Sequence, residues 1–358
     1  MPHCLKTRYL QQQTNPHNQY IRRCFELAKA GEQFVSPNPV VGAVIVKNNQ
    51  IIGEGFHRKH GCPHAEVNAV NAVKAPHTCK GATIYVSLEP CAHTGLTPPC
   101  ADLLVKEEFA EVVISCGDPF KEVNGKGVER LKKAGINVIT GMLEPEGRFV
   151  NRYFFTSVEK QRPYILLKWA QTTDGFIDKE RKEGDHGPNW ISTSSARKMV
   201  HGLRANYDAI MVGTTTALVD DPELTVRDVY GTNPIRIVLD KHLKLPKSLR
   251  LFNAAAPTLV FNEVTSKTEN SVEWVQIDFN NLLPELLSFL HKRKVQRLLI
   301  EGGKHTLEQF IAAGLWDEAK VITGPTFFKE GLSAPTLAAK PDQTEVLDSN
   351  VIQTYYKT

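Results

Sequence analysis

His64-Ala65-Glu66, then Pro90-Cys91, then Cys100, is the stretch on which the reading of the N-terminal half turns. One imidazole and two thiolates fill three corners of a Zn²⁺ tetrahedron and leave the fourth for water. Glu66, two residues from the histidine, is not needed as a ligand and is available to carry protons. A structural zinc site uses four protein ligands and has no use for such a carboxylate. His93, between the two cysteines, is a further donor to weigh, and reads instead as a substrate-side or loop residue. The set points to replacement of a ring amino group by oxygen on a heterocycle.

The surrounding residues agree with that placement. Val67, Val70 and Val73, with Ala69, recur at helical spacing, so His64 and Glu66 fall in a first helical turn. Cys100 opens a second helical pattern over 101–106 after Pro98-Pro99, where a helix N-terminus favours a thiolate. Thr83–Leu88 reads as a buried strand ending just before Cys91. Further out, Tyr20–Ala30 predicts an amphipathic helix, and Pro39–Val46 with Gln50–His57 a hairpin across Asn48-Asn49. Glu111–Ser115 and Asn137–Thr140 predict strands and Gly127–Ala134 a helix. The alternation predicts an α/β fold, a mixed sheet with helices on both faces.

At 358 residues the chain has room for two domains. A hydrophobic content of 41% and a charged content of 23% are those of a globular protein. The net charge of +4 is small and forms no stripe, which argues against nucleic acid as a partner. Seven cysteines show no disulfide-scaffold spacing, so a reducing cytoplasm is expected. Met1 to Gln13 lacks the apolar run of a signal peptide, and no 18 consecutive apolar residues occur, so no membrane is expected. A second copy of the chain is the expected macromolecular partner, giving a homo-oligomer.

Gly141–Arg162 carries turn and helix-breaking signals at Glu144-Pro145 and Gly147 and reads as a transition between halves. The expected division is an extension over 1–16, a first domain over 17–158 and a second over 162–358. Beyond it, Tyr164–Ala170, Ala209–Val212, Ile235–Leu239, Thr258–Phe261, Arg297–Ile300 and Ala319–Ile322 predict buried strands. Ser194–Arg204, Leu282–Lys292 and His305–Ala313 predict helices, and together these make a second α/β domain. Leu298–Lys304, a strand running into Glu301-Gly302-Gly303, lets backbone N–H groups approach a phosphate at a helix N-terminus, though a plain tight turn reads equally well. Asp220-Asp221-Pro222 with Leu224, Thr225 and Arg227 is either a ribose and phosphate contact or a capped turn. Arg204, near a helix end, reads by default as a solvated charge. Gly53-Glu54-Gly55 and Gly125-Lys126-Gly127 match a dinucleotide fingerprint only in part, because Arg58 and Arg130 stand at the third glycine.

Several stretches, in order, resemble the bifunctional deaminase–reductases of riboflavin biosynthesis. They are Ser36-Pro-Asn-Pro-Val-Val-Gly42, His64-Ala-Glu66, Leu88-Glu-Pro-Cys-Ala-His93, Thr97-Pro-Pro-Cys100, Leu167-Lys168, Asp174-Gly175, Trp190-Ile191-Ser192, Leu203-Arg204-Ala205, Asp220-Asp-Pro222, Leu224-Thr-Val-Arg227 and Glu301-Gly302-Gly303. The eight-residue spacer between Cys91 and Cys100 is similar to that family's. The resemblance implies an N-terminal cytidine-deaminase-like α/β/α sandwich and a C-terminal dihydrofolate-reductase-like α/β domain. It also implies two reactions: hydrolytic loss of the 2-amino group of 2,5-diamino-6-ribosylamino-4(3H)-pyrimidinone 5′-phosphate, then NADPH-dependent reduction of ribosyl to ribityl. Carried over by motif, His64, Cys91 and Cys100 hold Zn²⁺, Glu66 is catalytic, and Asn38 and Asp118 meet the pyrimidine substrate. Ala170, Trp190, Thr216, Asp220, Gly303 and Lys304 meet NADPH. Lys168, Arg204, Leu224, Arg227 and Glu301 meet the ribose-phosphate substrate, whose phosphate suits an arginine fork. Leu96, Phe120 and Pro188 depart from the family's usual residues. Two other readings compete: a single-activity deaminase with an accessory domain, and a zinc-stabilised nucleotide-binding protein.

Overall fold

The computed structural model describes residues 15–93, 98–120, 124–182 and 184–357. Leu96 and most of the expected extension lie outside them. The chain separates into two compact units, the first ending at Lys160 and the second beginning at Gln161.

The first unit runs α1 (His17–Lys29), β1 (Gly42–Lys47), β2 (Gln50–Phe56), α2 (Ala65–Ala72), β3 (Thr83–Leu88), α3 (Cys100–Lys106), β4 (Glu111–Cys116), α4 (Lys126–Lys133), β5 (Asn137–Ile139), α5 (Glu144–Val150) and α6 (Arg152–Lys160). Its five-stranded sheet has the order β2-β1-β3-β4-β5, with β1 antiparallel to both neighbours and β3, β4 and β5 parallel. The hairpin turns through Asn48 and Asn49, with φ of 51° and 61°, the left-handed pair that a tight two-residue turn requires and asparagine tolerates. Alternation along the strands feeds two cores. Ala43, Ile45, Ile84, Val86, Val112 and Ile114 face α2, α3 and α4, while Val44, Val46, Tyr85 and Val113 face α1. The result is a three-layer α/β/α sandwich.

The stretch read as a transition is helical, as α5 and α6. Pro145 sits at the start of α5, where no intrahelical donor is lost. Gly147 is a packing glycine: a Cβ there would lie 2.4 Å from Ser115 Oγ and 2.6 Å from Cys116 Sγ. Both signals were of breaking type, but neither acts as a breaker here.

The second unit contains β6 (Tyr164–Gln171), β7 (Phe176–Asp178), α7 (Ser194–Asn206), β8 (Ala209–Gly213), α8 (Thr214–Asp220), β9 (Ile235–Leu239), β10 (Thr258–Asn262), β11 (Lys267–Glu269), β12 (Val272–Gln276), α9 (Leu282–Lys292), β13 (Arg297–Ile300), α10 (Lys304–Ala312), β14 (Glu318–Thr323), β15 (Leu332–Ser333), β16 (Gln343–Leu347) and β17 (Asn350–Tyr356). A ten-stranded sheet has the order β11-β12-β10-β9-β8-β13-β6-β14-β17-β16, and its seven strands from β12 to β14 are parallel. One face buries α9 and α10 through Leu286, Leu290, Leu307 and Phe310; the other buries Tyr207, Ala217 and Leu224. The carboxyl ends of β6, β8 and β13 lie side by side, the usual ligand position in a parallel sheet.

The Gly53-Glu54-Gly55 pair, a poor fit to a dinucleotide loop, has a packing role. A Cβ on Gly55 would stand 2.4 Å from Ala69 N and 2.5 Å from Ala65 O; one on Gly53 would stand 2.5 Å from Ala69 O. Two glycines on one face of β2 thus let α2 lie directly on the strand. Gly55→Ala is expected to lower stability by about 1–3 kcal/mol and to reduce zinc retention, because α2 must lift. Thermal unfolding and metal content of the purified variant check this.

Candidate active sites

In the first unit three segments converge. His64 is the residue before α2, with extended backbone (φ −70°, ψ 168°). Cys91 follows β3 by three residues, and Cys100 is the first residue of α3 after Pro99. His64 Nδ1 lies 3.7 Å from Cys91 Sγ and 3.3 Å from Cys100 Sγ. All three donor atoms lie within 4.8 Å of one another, and no other described residue joins the group, so His93 is not a fourth member. A tetrahedral zinc with ordinary bond lengths separates sulfur from nitrogen by about 3.6 Å, so the donor set fits the ion. Two backbone bonds fix the cysteines: Cys100 N–H donates to Cys91 Sγ at 3.3 Å and Ala101 N–H to Cys91 O at 3.1 Å.

The electrostatics favour a ligand set. The Cys100 thiol, the His64 ring and the Cys100 amide all favour a thiolate at Cys91 and pull it down to about 4. Cys100, bonded to that thiolate and buried beside Glu66, is pushed up. The pair thus favours a thiolate at Cys91, the form in which a cysteine binds a cation. Glu66 is 3% exposed, and its burial raises its pKa, the direction a proton carrier needs.

Asn38 donates from Nδ2 to His57 Nε2 at 3.2 Å, and the His57 ring packs edge-on to His64 at 5.4 Å between centroids. Asp118 is pushed up to about 6, chiefly by burial. Sequence reasoning gave Glu89 no role, although it lies inside a quoted motif. It is buried, and its carboxylate accepts from the backbone of Gly125 and Gly127 at 3.0 Å and of Val128 at 3.2 Å. It ties the start of α4 to the segment leading into Cys91. Phe120, by contrast, is exposed.

In the second unit Lys168, Arg204 and Glu301 come together. Arg204 donates from Nε and Nη2 to the two Glu301 oxygens at 3.0 and 2.8 Å, and Lys168 Nζ lies 3.8 Å from Oε2. Arg204 is largely shielded, with 12% of its side chain exposed, so the default reading of a solvated helix-end charge is wrong. Burial alone would raise Glu301, but Arg204 and then Lys168 reverse this and hold it down to about 2. Burial lowers Lys168. Lys168 and Arg204 thus both face the single Glu301 carboxylate. Leu224, buried at φ 56°, and Arg227 lie on the adjoining segment, held to Arg204 through Thr225 O at 3.3 Å. The Arg227 side chain is half exposed and reaches Thr225 Oγ1 at 3.2 Å.

Gly302 and Gly303 form a cradle that a side chain would fill. A Cβ on Gly302 would meet Val212 at 2.9 Å and Thr216 at 3.1 Å; Gly303, at φ 73°, has Thr216 Oγ1 3.1 Å from its Cβ position. Gly303 is also the N-cap of α10 and supplies no side chain to its amides, so the turn fits a dinucleotide phosphate. Lys304 follows, with Nζ donating to Ser333 Oγ at 2.8 Å. Asp220, at the end of α8, pairs with Arg181 at 3.2 Å and is pushed up to about 6 by burial. Trp190 is 62% exposed, with Arg197 stacked 4.6 Å from one ring centroid. Ala170 lies two residues beyond Lys168 on β6 and packs towards α7.

Comparison with known proteins matches both units. Residues 14–116 match the cytidine and deoxycytidylate deaminase zinc-binding region, and residues 163–351 match the RibD C-terminal domain. The chain is 41% identical over 327 residues to the riboflavin biosynthesis protein RibD of Aquifex aeolicus, covering 90% of each. It is 35% identical to the Escherichia coli protein of the same name, covering 92% and 93%. The crystal structure of a diaminohydroxyphosphoribosylaminopyrimidine deaminase/5-amino-6-(5-phosphoribosylamino)uracil reductase from Thermotoga maritima superposes with a TM-score of 0.85 at 36% identity, over 95% of this chain and 98% of that one. Relatives of this identity match both units and nearly their whole length, so the chain belongs to the RibD family of riboflavin biosynthesis proteins, bifunctional enzymes with a zinc-binding deaminase domain followed by a reductase domain.

Proposed function

We propose that the first unit deaminates 2,5-diamino-6-ribosylamino-4(3H)-pyrimidinone 5′-phosphate. The second then reduces the ribosyl chain of the product to ribityl, giving 5-amino-6-ribitylamino-uracil 5′-phosphate. The observation that carries the first step is the meeting of His64 Nδ1, Cys91 Sγ and Cys100 Sγ beside a buried glutamate. Bound there, Zn²⁺ supplies the Lewis acidity that makes water a competent nucleophile at neutral pH. Glu66 takes the proton of the attacking water, passes it to a ring nitrogen, and then delivers a proton to the departing amino group, which leaves as ammonia. Asn38 and Asp118 hold the pyrimidine edge.

In the second unit NADPH, when bound, would supply the hydride that adds to C1′ of the sugar, while the ring C–O bond opens and its oxygen takes a proton from solvent. Gly303 and Lys304 with Thr216 hold its phosphates, and Trp190, Ala170 and Asp220 bound the rest of its site. Arg204 and Lys168, set against Glu301, and Arg227 take the substrate's ribose phosphate. Arginine suits that group because its fork matches two phosphate oxygens. The single-activity and binding-protein readings leave the Lys168–Arg204–Glu301 cluster and Glu66 without purpose.

The described helices include none long and apolar enough to cross a membrane. We place the enzyme in the cytoplasm as a homo-oligomer, acting on small molecules and not on nucleic acid; six described cysteines, all free, suit a reducing compartment.

Glu66→Gln should keep its zinc and lose deamination by about 10²–10⁴-fold, as read from ammonia release and metal content. Chelation of zinc from the wild-type chain should abolish deamination while NADPH oxidation with the deaminated substrate continues. Arg227→Ala should raise the reductase KM for the phosphorylated substrate by about 10–100-fold and leave deamination unchanged; steady-state kinetics of both activities on one preparation check it.

A further inference from the structure

We infer that His201 is a positioning residue of the reductase site. It fixes the backbone at Arg227 and so sets where that arginine meets the substrate phosphate. The inference rests on the reading of Arg227 given above.

Segment 221–228 crosses the site between α8 and β9 without regular structure. Two of its residues have left-handed backbones, Asp221 at φ 40° and Leu224 at φ 56°. Neither is a glycine, and such residues adopt this conformation only where their surroundings impose it. The segment is held by side chains that grip its backbone. Arg236 Nη1 donates to Glu223 O at 3.5 Å, Arg204 Nη1 donates to Thr225 O at 3.3 Å, and Asn233 Oδ1 accepts from Val226 N at 2.8 Å. The last hold is His201 Nδ1, which accepts from Arg227 N at 3.1 Å. His201 and Arg204 lie three residues apart on α7, on one face of the helix, so a single rigid element sets both Thr225 and Arg227.

The chemistry of the bond fixes the tautomer. A backbone N–H only donates, so Nδ1 carries no proton, and the proton of the neutral ring sits on Nε2. Nε2 lies 3.6 Å from Asp228 Oδ2, a carboxylate that suits a donor there. The ring is buried, and burial followed by the neighbouring Arg204 lowers its pKa, the direction that suits an acceptor. His201 is thus held as a neutral acceptor aimed at one amide. Its effect reaches the substrate only through Arg227, whose guanidinium is steadied by Thr225 Oγ1 and Glu223.

Three variants of the full chain test this. H201N places an amide oxygen near the Nδ1 position, H201Q places its terminal group near Nε2, and H201L offers no acceptor. Reduction of the deaminated substrate is followed at saturating NADPH, and deamination by the same preparations reports intact protein. H201Q and H201L are expected to raise KM for the phosphorylated substrate about tenfold, with kcat and the KM for NADPH little changed, whereas H201N stays close to wild type. Adding H201L to R227A should raise KM little further. An H201N as impaired as H201L would show that packing matters and not the acceptor, and would overturn the proposal. An unchanged KM in H201L with a raised KM in R227A would overturn it while leaving the phosphate reading intact. An unchanged KM in R227A would remove the phosphate reading itself, and this proposal with it.

Discussion

The chemistry of the first unit depends on two helix N-termini meeting at the carboxyl end of a buried strand. His64 precedes α2, Cys100 opens α3, and Cys91 hangs from the end of β3 between them. Each position is set by packing elsewhere. Gly53 and Gly55 let α2 touch β2, and Ala101 and Leu104 bury α3 against the sheet. The Cys91 loop is clamped by the Cys100 and Ala101 amides. A shift of either helix by an ångström would separate donors that a small cation must bridge at fixed bond lengths. The metal site is therefore a readout of sheet packing, and the Glu66 carboxylate, one residue into α2, moves with it.

The second unit solves a different problem, that of keeping charge in a dry place. Glu301, Arg204 and Lys168 are nearly excluded from water, and removing Glu301 from the cluster costs about 3–5 kcal/mol, because its two basic partners remain shielded and unpaired. The cluster sets two basic side chains against one carboxylate, an arrangement that suits an anionic substrate. Glu301 is pulled down to about 2 by its cations, so it stays ionised from neutrality to well below pH 4. The contribution of that pairing to stability is present above the ordinary carboxylate pKa and is lost only as pH falls towards 2. Acid loss of reductase structure should therefore come late on account of this group.

Much of this was legible in the chain. Buried strands announce themselves as apolar runs, and most core strands lie within a residue or two of where those runs place them, though β1 begins three residues late, at Gly42, and β12, whose buried Val272, Trp274 and Val275 are interleaved with Glu273 and Gln276, was missed. The zinc donors were legible because few residue types bind zinc and their spacing is restrictive. Other parts were hidden for physical reasons. Pro145 and Gly147 look like breakers, yet one stands at a helix start and the other fills a tight contact, so α5 and α6 were missed. The β16–β17 hairpin was missed because β16 is largely exposed and its sequence, Gln343 to Leu347, has no apolar run. Arg204 reads as a surface charge until Glu301, nearly a hundred residues away, is folded against it. His201 carries no local signal, since its partner is a backbone amide that any sequence would supply.

X-ray absorption at the zinc edge of the purified chain tests the central claim most directly. The account predicts one zinc per chain with two sulfur neighbours at about 2.3 Å, one imidazole nitrogen and one further light atom at about 2.0 Å. A first shell of four protein ligands, a shell with fewer than two sulfurs, or the absence of stoichiometric zinc would contradict it.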